Sequence, residues 1–194
     1  RERQPNAGNL LERFISEYLT STKKNQACVE IGHFYFQQEN YEKALSWYEK
    51  VDEMYLGTNE SDKYSFQKGY SFFVSKNKKE ATTYLNKVLK SPNYGSQAKY
   101  YLGFMAYEGD DYKKATQYFD AVSTESKYKE RMSYYQSDMN FKLGNFQKAI
   151  DLGEQAMSKS TPAEQSELNK IIGESYFNLK DYAKAIDYLK LYEG

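Results

Sequence analysis

Three features predict an all-α fold built from repeating antiparallel helix pairs. Alanines 44, 81, 115, 149 and 185 recur at separations of 37, 34, 34 and 36 residues. Twelve residues before four of them stands a glycine (Gly32, Gly69, Gly103 and Gly173), and Ser137 takes that place before Ala149. Around both sets run apolar stripes of helical spacing, interrupted by short polar turns. Glycine inside a helix costs about 1 kcal/mol relative to alanine, so its return at one phase of each unit needs a shared cause. The simplest is close approach of two helices, with the Gly or Ser of one facing the Ala of its partner.

Lys99–Val122 shows the unit most clearly. Leu102, Gly103 and Ala106 lie on one side of a first helix, and Glu108-Gly-Asp-Asp111 breaks it. Tyr112, Ala115, Phe119 and Val122 then form the stripe of a second helix. So short a turn forces the two helices to pack antiparallel. Each still needs a neighbour on its other face, and repetition of the unit supplies one.

In chain order, Arg1–Asn9 reads as a polar lead-in. Leu10, Leu11, Phe14, Ile15, Tyr18 and Leu19 form a helical stripe that Thr20–Asn25 ends. Five pairs follow: Gln26–Gln38 with Tyr41–Met54, Asp62–Ser75 with Lys78–Lys90, Gly95–Glu108 with Tyr112–Val122, Tyr128–Lys142 with Phe146–Lys159, and Pro162–Asn178 with Tyr182–Tyr192. Breakers separate them at Gly57 and Asn59, Pro92 and Gly95, Gly109, Gly144, and Thr161-Pro162, where proline suits a first helical turn.

A 34-residue helix-turn-helix period with these small residues resembles the tetratricopeptide repeat family. Further residues carry the resemblance. An aromatic opens the second helix at Tyr41, Tyr112, Phe146 and Tyr182. A large residue follows the alanine by four at Tyr48, Leu85, Phe119 and Leu189, and a small or β-branched one by seven at Val51, Val88, Val122 and Ala156. On this register the repeats span 25–58, 62–95, 96–129, 130–163 and 166–194, the last truncated. Residues 9–24 are the second helix of a truncated upstream repeat, all in one array over 1–194. Departures are Cys28, Ser65, Lys99, Ser133 and Asn169 at the family's early Trp, Lys78 in the aromatic slot, and Gln136, Asn140 and Gly153 at apolar phases of the fourth repeat. The resemblance implies a right-handed superhelical solenoid whose concave wall is made by the first helices.

Charge is balanced, 27 Lys+Arg against 27 Asp+Glu, which argues against a nucleic-acid partner. Mean hydropathy is −0.90, and no apolar run is long enough for a membrane span. The single cysteine, Cys28, excludes an internal disulfide. The chain begins at Arg1 without Met and reads as a piece of a larger bacterial protein; its Tyr-rich repeats are similar to envelope repeat proteins, a lean toward the cell envelope or periplasm.

No catalytic or metal motif stands out, and no cofactor is expected. His33, the only histidine, lies five residues from Cys28, about 140° away around a helix, so the two share no ligand face. His33 reads as a groove-wall or partly buried side chain, and Cys28 as a buried inert thiol. Glu108–Asp111 reads as a capped, solvated turn, and Lys76–Lys79 as another.

The informative set is aromatic. By the resemblance, groove-facing phases include Val29, His33 and Phe36; Phe66, Tyr70 and Phe73; Tyr100, Phe104 and Tyr107; Tyr134, Asp138 and Phe141; and Lys170, Glu174 and Phe177. The middle phase is usually polar in the family, yet here it is Tyr70 and Phe104. Two readings stand: an exposed patch for recognition, or packing against neighbouring segments. The expected site is a peptide-binding groove of Phe36, Phe66, Tyr70, Phe73, Tyr100, Phe104, Tyr107, Tyr134 and Phe141. The expected function is a non-enzymatic scaffold that binds a protein or peptide segment. A structural spacer or assembly module, and glycan binding by Tyr faces, are the alternatives. Self-association through uncapped ends is a further expectation.

Overall fold

A computed structural model of the chain describes residues 21–123 and 126–192, together with Glu12, Arg13, Ile15 and Glu17. The described residues form helices joined by short turns, with no strand among them. In order the helices are α1 (Ser21–Gln37), α2 (Tyr41–Tyr48), α3 (Thr58–Val74), α4 (Lys78–Lys87), α5 (Gly95–Glu108), α6 (Tyr112–Asp120), α7 (Ser126–Lys142), α8 (Phe146–Met157), α9 (Pro162–Asn178) and α10 (Tyr182–Leu189), with a 3-10 turn at Glu53–Tyr55. The chain divides into two compact units, Arg1–Ala98 and Lys99–Gly194, with the division inside α5.

Each pair turns on the same two residues. Glu39, Lys76, Asp110, Gly144 and Lys180 adopt a left-handed backbone, with φ of 57, 61, 59, 77 and 66°. The next residue, Asn40, Asn77, Asp111, Asn145 or Asp181, caps the second helix. Four of these five side chains accept from the backbone N–H three positions on, at 3.1–3.3 Å. The fifth, Asn145, donates its side-chain N–H to Asn140 Oδ1 instead (3.3 Å). The left-handed conformation is costly for a residue with a Cβ, and only Gly144 avoids the cost. Lys76→Gly is therefore expected to stabilise the chain by about 0.5–1 kcal/mol, read as a higher urea midpoint. A lower midpoint would mean that the Lys76 side chain holds the turn.

Repetition of the pair builds the core. Ala44, Ala81, Ala115, Ala149 and Ala185 are all buried. The glycines do allow close approach, and the nearest group each faces is the large residue four beyond the alanine, Gly173 meeting the Ala185 carbonyl as well. A Cβ on Gly32 would come within 2.3 Å of the Tyr48 ring, and one on Gly103 within 2.7 Å of Phe119. Leu85 and Leu189 stand in the same way against Gly69 and Gly173. The fourth pair reverses the sizes: Gly153 takes the large place, and Ile172 of α9 fills the space, while Ser137 Oγ donates to the Ala149 carbonyl (2.7 Å). The polar residues of that pair are satisfied, since Gln136 reaches Asp120 Oδ1 (3.0 Å) and Asn140 reaches the Gln136 carbonyl (2.7 Å).

Several boundaries differ from those predicted. Ser21–Asn25, expected within the segment ending a leading helix, forms the first turns of α1. Asn25 bridges the Asp52 backbone with both side-chain atoms, donating to its carbonyl (3.1 Å) and accepting from its N–H (2.6 Å), so it fastens α1 to the loop after α2. The second helices stop early: α2 ends at Tyr48, not Met54, because the chain tightens into i→i+3 bonds such as Val51 N–H to the Tyr48 carbonyl. Asn59 is no breaker; Gly57 caps α3 and Asn59 lies inside it. Of the leading stripe, Ile15 is described, helical and buried with Cys28, Ile31 and Trp47. Leu10, Leu11, Phe14, Tyr18 and Leu19 lie outside the described residues.

Candidate functional site

In the first unit, helices α1 to α4 bring their aromatics into one continuous cluster. Tyr70 of α3 lies between Phe36 and Tyr41 of the preceding pair, with ring centroids 5.7 and 5.5 Å away. Phe66 stacks on Tyr70 (6.3 Å) and on Tyr94 (5.0 Å), and Phe73 stands 6.0 Å from Tyr70. Phe36, Tyr70 and Phe73 are half-buried, whereas Phe66 belongs to the core. Burial and its contact with Tyr70 push the Tyr41 phenol up to about 12, so its hydroxyl is a neutral donor and acceptor at ordinary pH.

Behind this cluster lies a buried polar belt that joins the first pair to the second. Tyr48 donates to Gln67 Oε1 (2.7 Å), leaving its oxygen lone pair for His33 Nδ1–H (2.8 Å). Tyr64 donates to the Tyr48 carbonyl (3.1 Å), and the Lys68 ammonium donates to Tyr64 Oη (2.7 Å) while lying over the Tyr84 ring. His33 and Val29, placed by the sequence on a groove wall, are core residues at 3 and 0% exposure. Burial, and then the Lys63 ammonium, lower the His33 pKa to about 4. Burial also lowers Lys68 and raises the Cys28 thiol. Cys28 is thus a poor nucleophile, as a packed thiol should be.

The second unit has its own aromatic cluster. Phe104 meets Tyr107 and Tyr135, Tyr107 meets Tyr112 and Tyr135, and Tyr134 stands against Tyr135 at 5.3 Å. Tyr107 donates to Asp138 Oδ2 (2.7 Å), whose carboxylate also pairs with Lys142 (2.8 Å). Asp138 is therefore already engaged within the chain. Phe141 packs on Phe146. Tyr100, half-buried, rests near Phe119 and Tyr101.

Three of these rings open onto a cleft of about 510 Å³ lined by Tyr100, Tyr134, Tyr135, Lys159, Ser160, Thr161 and Glu164. Burial and then the Asp138, Glu167 and Glu164 carboxylates raise the Tyr134 phenol. Glu164 also accepts from the Thr161 backbone N–H (2.8 Å), holding the floor of the cleft in a capping box at the start of α9. The volume is of ligand-site size. Chemically the cleft offers ring faces, hydroxyls, one ammonium and one carboxylate, and that carboxylate also accepts from the Thr161 hydroxyl (2.9 Å). Among the described residues no three His, Cys, Asp or Glu side chains gather to hold a metal ion, and no helix is long and apolar enough to cross a membrane.

The structure thus gathers Phe36, Phe66, Tyr70 and Phe73 in one unit, and Phe104, Tyr107 and Tyr134 in the other. Tyr100 shares the cleft with Tyr134, while Phe141 packs on Phe146, apart from the other rings of the set. Sequence spacing does not reveal Tyr41, Tyr94 and Tyr135 as members, nor Lys159–Glu164 as a cleft wall. The adjacent Tyr134-Tyr135 pair is a visible signal; the cleft wall has none, since it comes from the turn between two repeats.

Comparison with known proteins agrees with this architecture. Residues 26–56 and 171–192 each match the tetratricopeptide repeat family. Comparison with curated protein sequences gives no match. Among solved structures, the chain is similar to MamA AMB-1 (TM-score 0.73, 16% identity, 87% of this chain and 89% of that one). It is similar also to MamA MSR-1 (0.68, 15%, 87% and 94%) and to a MamA RS-1 double mutant (0.66, 17%, 89% and 93%). At such identities the likeness shows a common fold: an all-α solenoid of tetratricopeptide type.

Proposed function

Since this chain is a tetratricopeptide-repeat protein, we propose that it is a non-catalytic scaffold that binds a peptide segment of a protein partner through its aromatic clusters. The cleft beside Tyr100 and Tyr134 carries this reading, because it joins ring faces to hydrogen-bonding groups at a ligand-sized opening. Phe104 and Tyr107 extend that surface in the second unit. Phe36, Tyr70 and Phe73, backed by the buried Phe66, form the anchor set of the first, and Phe141 is a peripheral contact. Neutral phenols suit peptide recognition, because they desolvate without leaving an unpaired ion behind.

A peptide array probed with the chain is expected to return binders whose Kd weakens about 30-fold in Tyr134→Ala, the scale of a binding anchor. Helicity should be unchanged, because Tyr134 is half-buried. Undiminished binding would remove the cleft as the site. Selection of glycans in place of peptides on a parallel array would transfer the same surface to sugar recognition.

A second reading, an assembly module, is favoured by large apolar side chains on α10 that stand in solvent: Tyr182, Ile186 and Leu189 are 54, 51 and 37% exposed.

A further inference from the structure

Ser160, Thr161 and Glu164 form the floor of the cleft in the second unit, and their hydrogen bonding is one-sided. Every donor of these three residues is engaged within the chain. The Ser160 N–H donates to the Met157 carbonyl (3.4 Å) and its hydroxyl to the Ala156 carbonyl (3.0 Å). The Thr161 N–H and hydroxyl both donate to Glu164 Oε2 (2.8 and 2.9 Å), and the Glu164 N–H donates back to Thr161 Oγ1 (3.4 Å). Pro162 between them has no N–H to offer. A helix start that would otherwise attract an anion is thus closed by its own glutamate. What the floor keeps is acceptor capacity: both bonds to the Glu164 carboxylate fall on Oε2, which leaves the lone pairs of Oε1.

The walls favour a ligand of the same kind. The Tyr134 and Tyr135 rings stand at 80° to one another, so they present ring surface from two directions, and the face of a tyrosine ring attracts a cation. After burial, the groups that most raise the Tyr134 phenol are carboxylates, Asp138 first and then Glu167 and Glu164. Asp138 is paired with Lys142 (2.8 Å), whereas Glu164 is half-buried, where its charge is less screened. The one ammonium of the lining, Lys159, is exposed, so solvent and salt screen it.

We propose that this cleft takes an arginine side chain of the bound peptide, with the guanidinium against the Tyr134 and Tyr135 rings and its N–H groups directed to Glu164; the inference rests on the peptide-binding reading. A guanidinium is planar, keeps its charge, carries donors and no acceptor, and stacks on aromatic faces. It therefore matches a floor of acceptors between ring walls. A lysine ammonium is more strongly hydrated and cannot stack, and a carboxylate finds no open donor on the floor.

Pools of short random-sequence peptides, each with one residue fixed at the centre, test this by their relative affinity for the whole chain. The arginine pool is expected to bind about tenfold more tightly than the glutamine pool, the scale of a charge-assisted contact. Glu164→Gln should reduce that ratio to about twofold. Helicity by circular dichroism should be retained, because glutamine also closes a capping box. Equal binding of the arginine and glutamine pools, equal binding of a lysine pool, preference for a glutamate pool, or a ratio unmoved by Glu164→Gln each overturns the arginine assignment and leaves the peptide-binding reading standing. If the chain binds no pool more tightly than Tyr134→Ala does, the inference and that reading fall together.

Discussion

Gly32→Ala is expected to destabilise the first unit by about 3 kcal/mol, the upper end of the overpacking range. The new Cβ would sit 2.3 Å from Tyr48 Cε1 and 2.5 Å from Cδ1. The ring cannot swing away cheaply. Tyr48 is 0% exposed, and its hydroxyl is held by His33 and Gln67 on either side. Moving it would break two buried hydrogen bonds, each worth about 1 kcal/mol and more when a partner is left unsatisfied. Gly109→Ala is the control: its nearest neighbour lies at 3.4 Å, an ordinary contact, so a change within about 0.5 kcal/mol is expected. Urea midpoints of the two variants give the comparison. Equal effects would refute the assigned glycine-to-ring register.

The same belt makes the chain sensitive to acid. His33 stays neutral in the folded protein down to about pH 4, because burial and then the nearby Lys63 oppose its protonation. In the unfolded chain it takes up a proton near pH 6.5. Between those values the unfolded state binds more protons, so stability falls as the pH drops from 6.5 and the loss is complete below about 4. The separation corresponds to roughly 3 kcal/mol. His33→Gln retains a donor for Tyr48 and removes the titration. It should lower stability at pH 7 yet flatten its dependence on pH across this window. Parallel pH profiles for the two proteins, measured by urea unfolding, would show that His33 is not the group responsible.

Much of the candidate site is visible in the sequence. Phe66, Tyr70 and Phe73 sit at spacings of four and three, so any helix through them presents them together. What the spacing does not specify is which neighbour shares the face. Tyr70 at a usually polar phase admits either recognition or packing. The folded chain sets it against Phe36 and Tyr41 of the preceding pair, so part of its apolar surface serves the joint between repeats. The recurring turn has a signal of its own: an Asn or Asp stands at 40, 77, 111, 145 and 181, in step with the alanine series.

By itself the sequence determined the period, the helix pairs, the buried alanines and the alternation of small with large residues that brings two helices close. These are properties of short-range spacing, and a helix converts spacing directly into faces. Only the tertiary structure decided which of those faces are interior. His33 resembled a groove residue until Tyr48, fifteen positions away, supplied its hydrogen-bond partner. Gln136 resembled a weak point until Asp120 supplied another, and the cleft at Tyr134 exists because the Lys159–Glu164 turn closes one side of it. The cost of a polar group inside a protein depends on whether a partner lies within hydrogen-bond distance. A repeat period fixes how often a residue recurs, not which atom it meets.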